Sequence, residues 1–128
     1  MVDIATGDFD EAKALGERAL AIWEASLGPD HADVAYALVP LAQVALAQGR
    51  PAEARRLAER ALALRESGSL EGDLAEARFV LARAIVGEDP TRAFALAEQA
   101  RATCRAGGVT EAQALAEIEA WLAANRDE

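Results

Sequence analysis

The chain has 128 residues and a formal net charge of −9, with 22 acidic against 13 basic side chains. That is the size of one domain, and the charge excludes the basic stripe that a nucleic-acid polyanion needs. Alanine fills 33 positions while β-branched and aromatic residues are scarce, which favours helix throughout and predicts an all-α fold.

No apolar run approaches the roughly 18 residues of a spanning helix, and the N-terminus is acidic rather than signal-like. Cys104 is the only cysteine, so no internal disulfide forms, as expected of a protein in a reducing cytoplasm. The expectation is a cytoplasmic protein with neither a nucleic-acid nor a membrane partner.

In chain order, helices are predicted over 8–27, 31–48, 51–66, 73–86, 90–106 and 110–125. Asp8 with Glu11, Asp73 with Glu76 and Thr110 with Gln113 have the spacing of capping boxes, in which side chains satisfy free backbone N–H groups at a helix start. Asp30 is the expected cap of the second helix, with Asp33 favouring its positive end. Pro51 and Pro90 fall in first turns, where the missing N–H has no partner to lose. Glycines 28, 49, 68, 87 and 107–108 mark the breaks. Pro40 falls inside the second helix, removes one backbone bond and is expected to bend it; a hinge that opens a ligand groove is the alternative. The arginines of 50–65 alternate with Glu53 and Glu59 and read as a solvated face with i,i+4 ion pairs.

The chain repeats itself. "ERALA" at 17–21 returns at 59–63, an offset of 42, and ten of the eighteen positions from Gly7 to Glu24 are identical in that register. At an offset of 39, Pro51 meets Pro90, Ala54 meets Ala93, Leu57 meets Leu96 and Glu59 meets Glu98. "DVAYALVPLA" (33–42) matches "DLAEARFVLA" (73–82) at an offset of 40. A period near 40 built from helix pairs is the signature of a helical solenoid. In the last helix Leu115, Ile118 and Leu122 are spaced to face inward, with Glu111, Glu117 and Glu119 on the other side, as a terminal cap requires. Trp121 is expected to pack at the edge of that cap.

The linker "LGPDHADVA" (27–35), the turn "LAQGRPAEA" (46–54) and the helix "AEARRLAERALALRE" (52–66) resemble tetratricopeptide repeats. The likeness is to the longer variety, of about 42 residues, seen in kinesin light chains, and it covers residues 1 to about 106. Small residues fill the positions where paired helices touch: Ala12, Ala19, Ala42, Ala54, Ala61, Ala82, Ala93 and Ala100. The resemblance implies an antiparallel helix-pair solenoid, a tetratricopeptide superhelix of about two and a half repeats plus a C-terminal capping helix. The single domain 1–128 then divides into the second helix of a truncated first repeat (8–27), a second repeat (31–66), a third repeat (73–106) and the cap (110–125). "LAEARFVLARAI" (74–85), "ALAEQARA" (95–102) and "LAEIEAWLAAN" (115–125) further resemble the end of repeat arrays attached to large bacterial serine/threonine protein kinases. No kinase motif is present in the sequence, so the likeness implies a non-catalytic arm of a signalling protein.

What the resemblance implies for function is protein–protein interaction. Partner peptides lie in the concave groove lined by the first helices, and the matching positions here are Tyr36, Val39, Gln43 and Leu46, then Glu76, Phe79, Arg83 and Val86. The mixture suits an extended or helical peptide with hydrophobic anchors, though Val39 and Phe79 equally suit a core. One subfamily reads acidic chaperone tails with a clamp of Lys, Arg and Asn; here Arg83 is the only groove cation, so that function is disfavoured. Residues 1–7 align with 43–49, the end of a first helix, so most of that helix is missing. The reading leaves Leu15, Ala19 and Ile22 as an apolar stripe, and self-association, as a homodimer or stacked array, is the alternative function.

The remaining reactive side chains read as structural. His31, the only histidine, opens the second helix; Asp30 and Asp33 beside it lack the second His or Cys that a metal site needs. Cys104 lies on the packing face and is expected to be a buried, inert thiol. Trp23 reads as core. No catalytic residue, cofactor or metal is expected.

Overall fold

The computed structural model describes residues 8–66, 71–107 and 112–125. The described residues form six α-helices: α1 (Asp8–Leu27), α2 (Ala35–Ala47), α3 (Pro51–Glu66), α4 (Glu71–Ile85), α5 (Pro90–Gly107) and α6 (Ala112–Asn125). A single 3-10 turn, Ala32–Val34, precedes α2. Among the described residues there is no strand. Each helix packs on the next, and α2 also touches α4. The first helices of successive pairs therefore form one layer and the second helices another, as in an all-α repeat solenoid.

The helix ends follow from local chemistry. Gly28 has φ +93° and Gly49 φ +74°, the left-handed region that side chains with a Cβ avoid. At the second of these, Arg50 N–H donates to Ala45 C=O (2.8 Å) and Gly49 N–H to Leu46 C=O (3.0 Å). Those two bonds satisfy carbonyls that the end of α2 would otherwise leave bare. Pro51 and Pro90 are the first residues of α3 and α5, each in the turn that tolerates them. Asp89 caps α5: its Oδ1 accepts from Arg92 N–H at 3.1 Å.

Two expected starts differ. The helix predicted from 73 begins at Glu71, so Asp73 is already inside α4 and cannot be its cap. Its intended partner Glu76 is engaged elsewhere, by Arg65. At the second helix the cap is His31, whose Nδ1 accepts from Asp33 N–H at 3.0 Å. Asp30 is exposed one residue too early to do this. The Thr110–Gln113 box lies outside the described residues through Thr110, as does Glu111.

Alanine sets the packing. Ala35, Ala42, Ala54, Ala58, Ala61, Ala77, Ala82, Ala93, Ala97 and Ala100 are completely buried, so helix backbones meet with only methyl groups between them. Leu38, Leu81, Ile85 and Ile118 fill the larger gaps, and each such burial contributes about 1.5–3 kcal/mol. Packing is tight at Gly16 of α1, where a β-carbon would lie 2.7 Å from Leu41 Cδ2 and 2.9 Å from its Cγ. Pro40 lies in α2 with its ring exposed, and the helix runs through it. Cys104 is buried.

Candidate functional site: the face of the first helices

Of the eight groove positions, four are open to solvent: Tyr36 and Gln43 on α2, and Glu76 and Arg83 on α4. Leu46, Phe79 and Val86 are half-buried and pack against the core. Val39 is a correction. It is 2 % exposed, because α2 is covered by α1, α3 and α4 together and its apolar face is wider than that of a helix covered on one side. The open positions are thus aromatic and polar.

One end of the face is built around Arg65. This residue lies in the last turn of α3 and is 1 % exposed, contrary to a solvated arginine face. Its Nη1 donates to Glu76 Oε1 at 2.9 Å, and its guanidinium lies 5.1 Å from the Tyr36 ring centroid. Trp23, on α1, makes a T-shaped contact with the same ring at 6.0 Å, with planes 79° apart. Tyr36 and Glu76 occupy corresponding positions 40 residues apart, and Arg65 ties them from beneath. Burying a guanidinium is expensive unless it is paired. Here a carboxylate, an aromatic face and the negative end of α3 offset the cost.

The other end is built around Phe79. Trp121 of α6 meets it edge-on at 5.8 Å and 88°, and meets Phe94 of α5 at 6.0 Å and 59°. Arg83 spreads its guanidinium 5.8 Å from the Phe79 centroid. Trp121 is therefore the bolt that fixes the last helix, with Ile118 and Leu122 buried beside it. Val86 lines an open cavity of about 580 Å³ with Pro90, Thr91, Phe94 and Asn125.

The opposite layer is stitched by charge. Glu24 of α1 accepts from Arg60 of α3 at 2.6 Å, and Glu59 of α3 accepts from Arg92 of α5 at 3.2 Å. Arg55 joins Glu59 and Glu88, each at 3.1 Å. The hydrogen bond from Arg92 is the main reason that Glu59 titrates below the ordinary carboxylate range, with Arg55 adding to it and burial opposing. The same contacts, Glu59 foremost, raise Arg55. The Glu and Arg of "ERALA" at 59–60 face water, as expected, but also cross-link successive pairs.

On α1, Leu15 and Ile22 are exposed and Ala19 is half-buried. Among the described residues no three His, Cys, Asp or Glu side chains group as a metal site would need, and no helix is long and apolar enough to cross a membrane.

A family model described as tetratricopeptide repeat matches residues 1–67. The chain belongs to the tetratricopeptide repeat family. Proteins of this family generally mediate protein–protein interaction, and the two-layer stack described above is the fold on which they do so. No similar protein was found among curated sequences.

Sequence reasoning missed Arg65. The signal was present in the repeat register, since Arg65 takes the place of Trp23 and of Cys104, both packing residues. It was masked by the neighbouring arginines of α3.

Proposed function

We propose that the chain is a non-catalytic scaffold or regulatory module that binds a partner peptide or protein across the face of α2 and α4. The observation that carries this reading is the set Tyr36, Gln43, Glu76 and Arg83: exposed, on two touching helices, and braced from beneath by Arg65 and Trp121. Rigid support under an exposed aromatic and a fixed charge pair is what recognition needs, because little entropy is lost on binding. The exposed chemistry suits a segment that lays an apolar or cationic side chain on Tyr36 and a carboxylate on Arg83.

The setting we infer is a bacterial signalling protein of the cytoplasm. It rests on the likeness of 74–85, 95–102 and 115–125 to the arrays carried by serine/threonine protein kinases, and of the repeats to the kinesin-light-chain variety. A kinase domain upstream in the same reading frame is the observation that tests it.

Selection of displayed peptides on the immobilised chain tests the binding reading. Selected sequences should lose at least about tenfold in affinity for Arg83→Glu and for Gln43→Arg. They should keep their affinity for Leu15→Glu on the far side. Binders indifferent to the first two variants would sink the proposal.

A second reading is favoured by one observation, the open Leu15 and Ile22 on α1. It makes the chain a structural unit that associates with itself through Leu15, Ala19 and Ile22 as a homodimer or array, without a separate ligand. Polar replacement of Leu15 and Ile22 should then abolish assembly while leaving the helicity intact.

A further inference from the structure

The second helices α1, α3 and α5 carry one apolar register. Leu15 corresponds to Leu57 and Leu96, and Ile22 to Leu64. In α3 and α5 the register is closed: Leu57 is 7 % exposed, Leu96 8 % and Leu64 9 %. In α1 it is open, with Leu15 at 56 % and Ile22 at 54 %. The neighbours explain the difference. Helix α3 lies between α2 and α4, and α5 between α4 and α6, whereas α1 packs on α2 and the 3-10 turn that leads into it. By subtraction, the open face of α1 is the one that a preceding first helix covers in the other two.

Helix α6 is the reciprocal case. Residues 115–125 repeat 74–84 at an offset of 41, with Leu, Ala, Glu, Leu and Ala identical at 74/115, 75/116, 76/117, 81/122 and 82/123. Leu81 and Leu122 are both buried, so α6 meets its preceding helix as α4 does. Ala75 and Ala82 are also buried, but Ala116 and Ala123 are exposed. Helix α4 is followed by α5, packed against it, while no described helix follows α6. The alanines open on α6 thus correspond to ones buried on α4, the helix that has a following partner in α5.

We propose that α6 of one copy seats on α1 of a second copy, forming between chains the helix pair that α4 and α5 form within one. The inference rests on the self-association reading and names what covers Leu15 and Ile22. Such a contact is heterologous and leaves an open α1 and an open α6 at the two ends, so assembly is open-ended rather than a closed dimer. The ion-pair stitching does not continue across it. Glu11 stands where Arg92 meets Glu59, and it would face Glu98. Like charges and the net charge of −9 oppose assembly, so added salt strengthens it.

Sedimentation velocity of the full chain over a concentration series tests this, with Leu15→Glu to block α1 and Ala123→Arg to block α6. Ile22→Glu and Ala116→Arg serve as second variants, and far-UV circular dichroism confirms that each is folded. Wild type should grow beyond a dimer as concentration and salt rise. Each variant alone should lose association by roughly tenfold or more. An equimolar mixture of Leu15→Glu and Ala123→Arg should restore a one-to-one dimer that grows no further, because one intact α6 and one intact α1 remain. If Ala123→Arg and Ala116→Arg still dimerise while Leu15→Glu does not, the contact is a symmetric α1 pair: the inference is overturned and the self-association reading stands. Loss in both single variants with no mixed dimer also overturns it. A wild type that stays monomeric throughout overturns both.

Discussion

Removing Glu76 should harm the protein more than removing Arg65, although the two form one pair. Arg65 is 1 % exposed and Glu76 half exposed, so each deletion leaves its partner in a different environment. Glu76→Ala takes the carboxylate away from a buried guanidinium, with the Tyr36 ring still over it. Breaking a fully buried pair in this way costs about 3–5 kcal/mol. Water already reaches the Glu76 side, and Tyr36 and the end of α3 still favour the cation, so the expected loss is about 1–3 kcal/mol. Arg65→Leu leaves a Glu76 carboxylate that solvent can hydrate, and puts an apolar group where the register elsewhere has Trp23 and Cys104; the expected change is smaller, about 1 kcal/mol. The double variant should recover most of the Glu76→Ala loss. Urea denaturation at constant m-value measures all three. An Arg65→Leu loss equal to or larger than that of Glu76→Ala, or a double variant as unstable as the sum, would refute the reasoning.

Three further outcomes are expected. Gly16→Ala should destabilise: a helix-propensity gain of about 1 kcal/mol is outweighed by about 1–3 kcal/mol of crowding against buried Leu41, and Leu41→Ala should erase the penalty in a thermodynamic cycle. Gly49→Ala should cost about 1–2 kcal/mol because its φ is +74°, whereas Gly87→Ala, with equally open space and ordinary φ, should be neutral or slightly stabilising; equal effects in thermal melts would contradict this. Glu59 titrates below its ordinary range in the folded chain, so its contribution is present above the usual carboxylate pKa near 4.5 and is lost as pH falls through the lower folded value. Glu59→Gln should therefore flatten the fall in stability between about pH 5 and pH 3. A variant as acid-sensitive as wild type would count against the Arg92 contact.

Most of the fold was legible because the signals were local and repeated. Prolines at 51 and 90, glycines at 28 and 49 and the register of 42 each bear on helix ends, and the helices fall within a few residues of the expected spans. What escaped depends on neighbours that no local pattern reveals. Val39 suited groove and core equally in the sequence, and what decides for the core is that α2 is enclosed by three helices. Arg65 looked solvated among arginines, but the end of α3 runs beneath Tyr36 and Glu76. Asp73 has the spacing of a cap, yet α4 begins two residues earlier. His31 displaced Asp30 as the cap because the 3-10 turn shifts the free N–H to Asp33. The open stripe of α1 was legible from the register alone. Its counterpart on α6 was not, since it emerges only when burial in α4 and α6 is compared position by position.

The most direct test of the interaction face is a backbone amide chemical-shift map of the chain, titrated with a selected peptide. Changes concentrated at Tyr36, Gln43, Glu76, Arg83 and the underlying Arg65 are the predicted result. Changes confined to the outer layer of α3 and α5, or to α1 and α6, would contradict it.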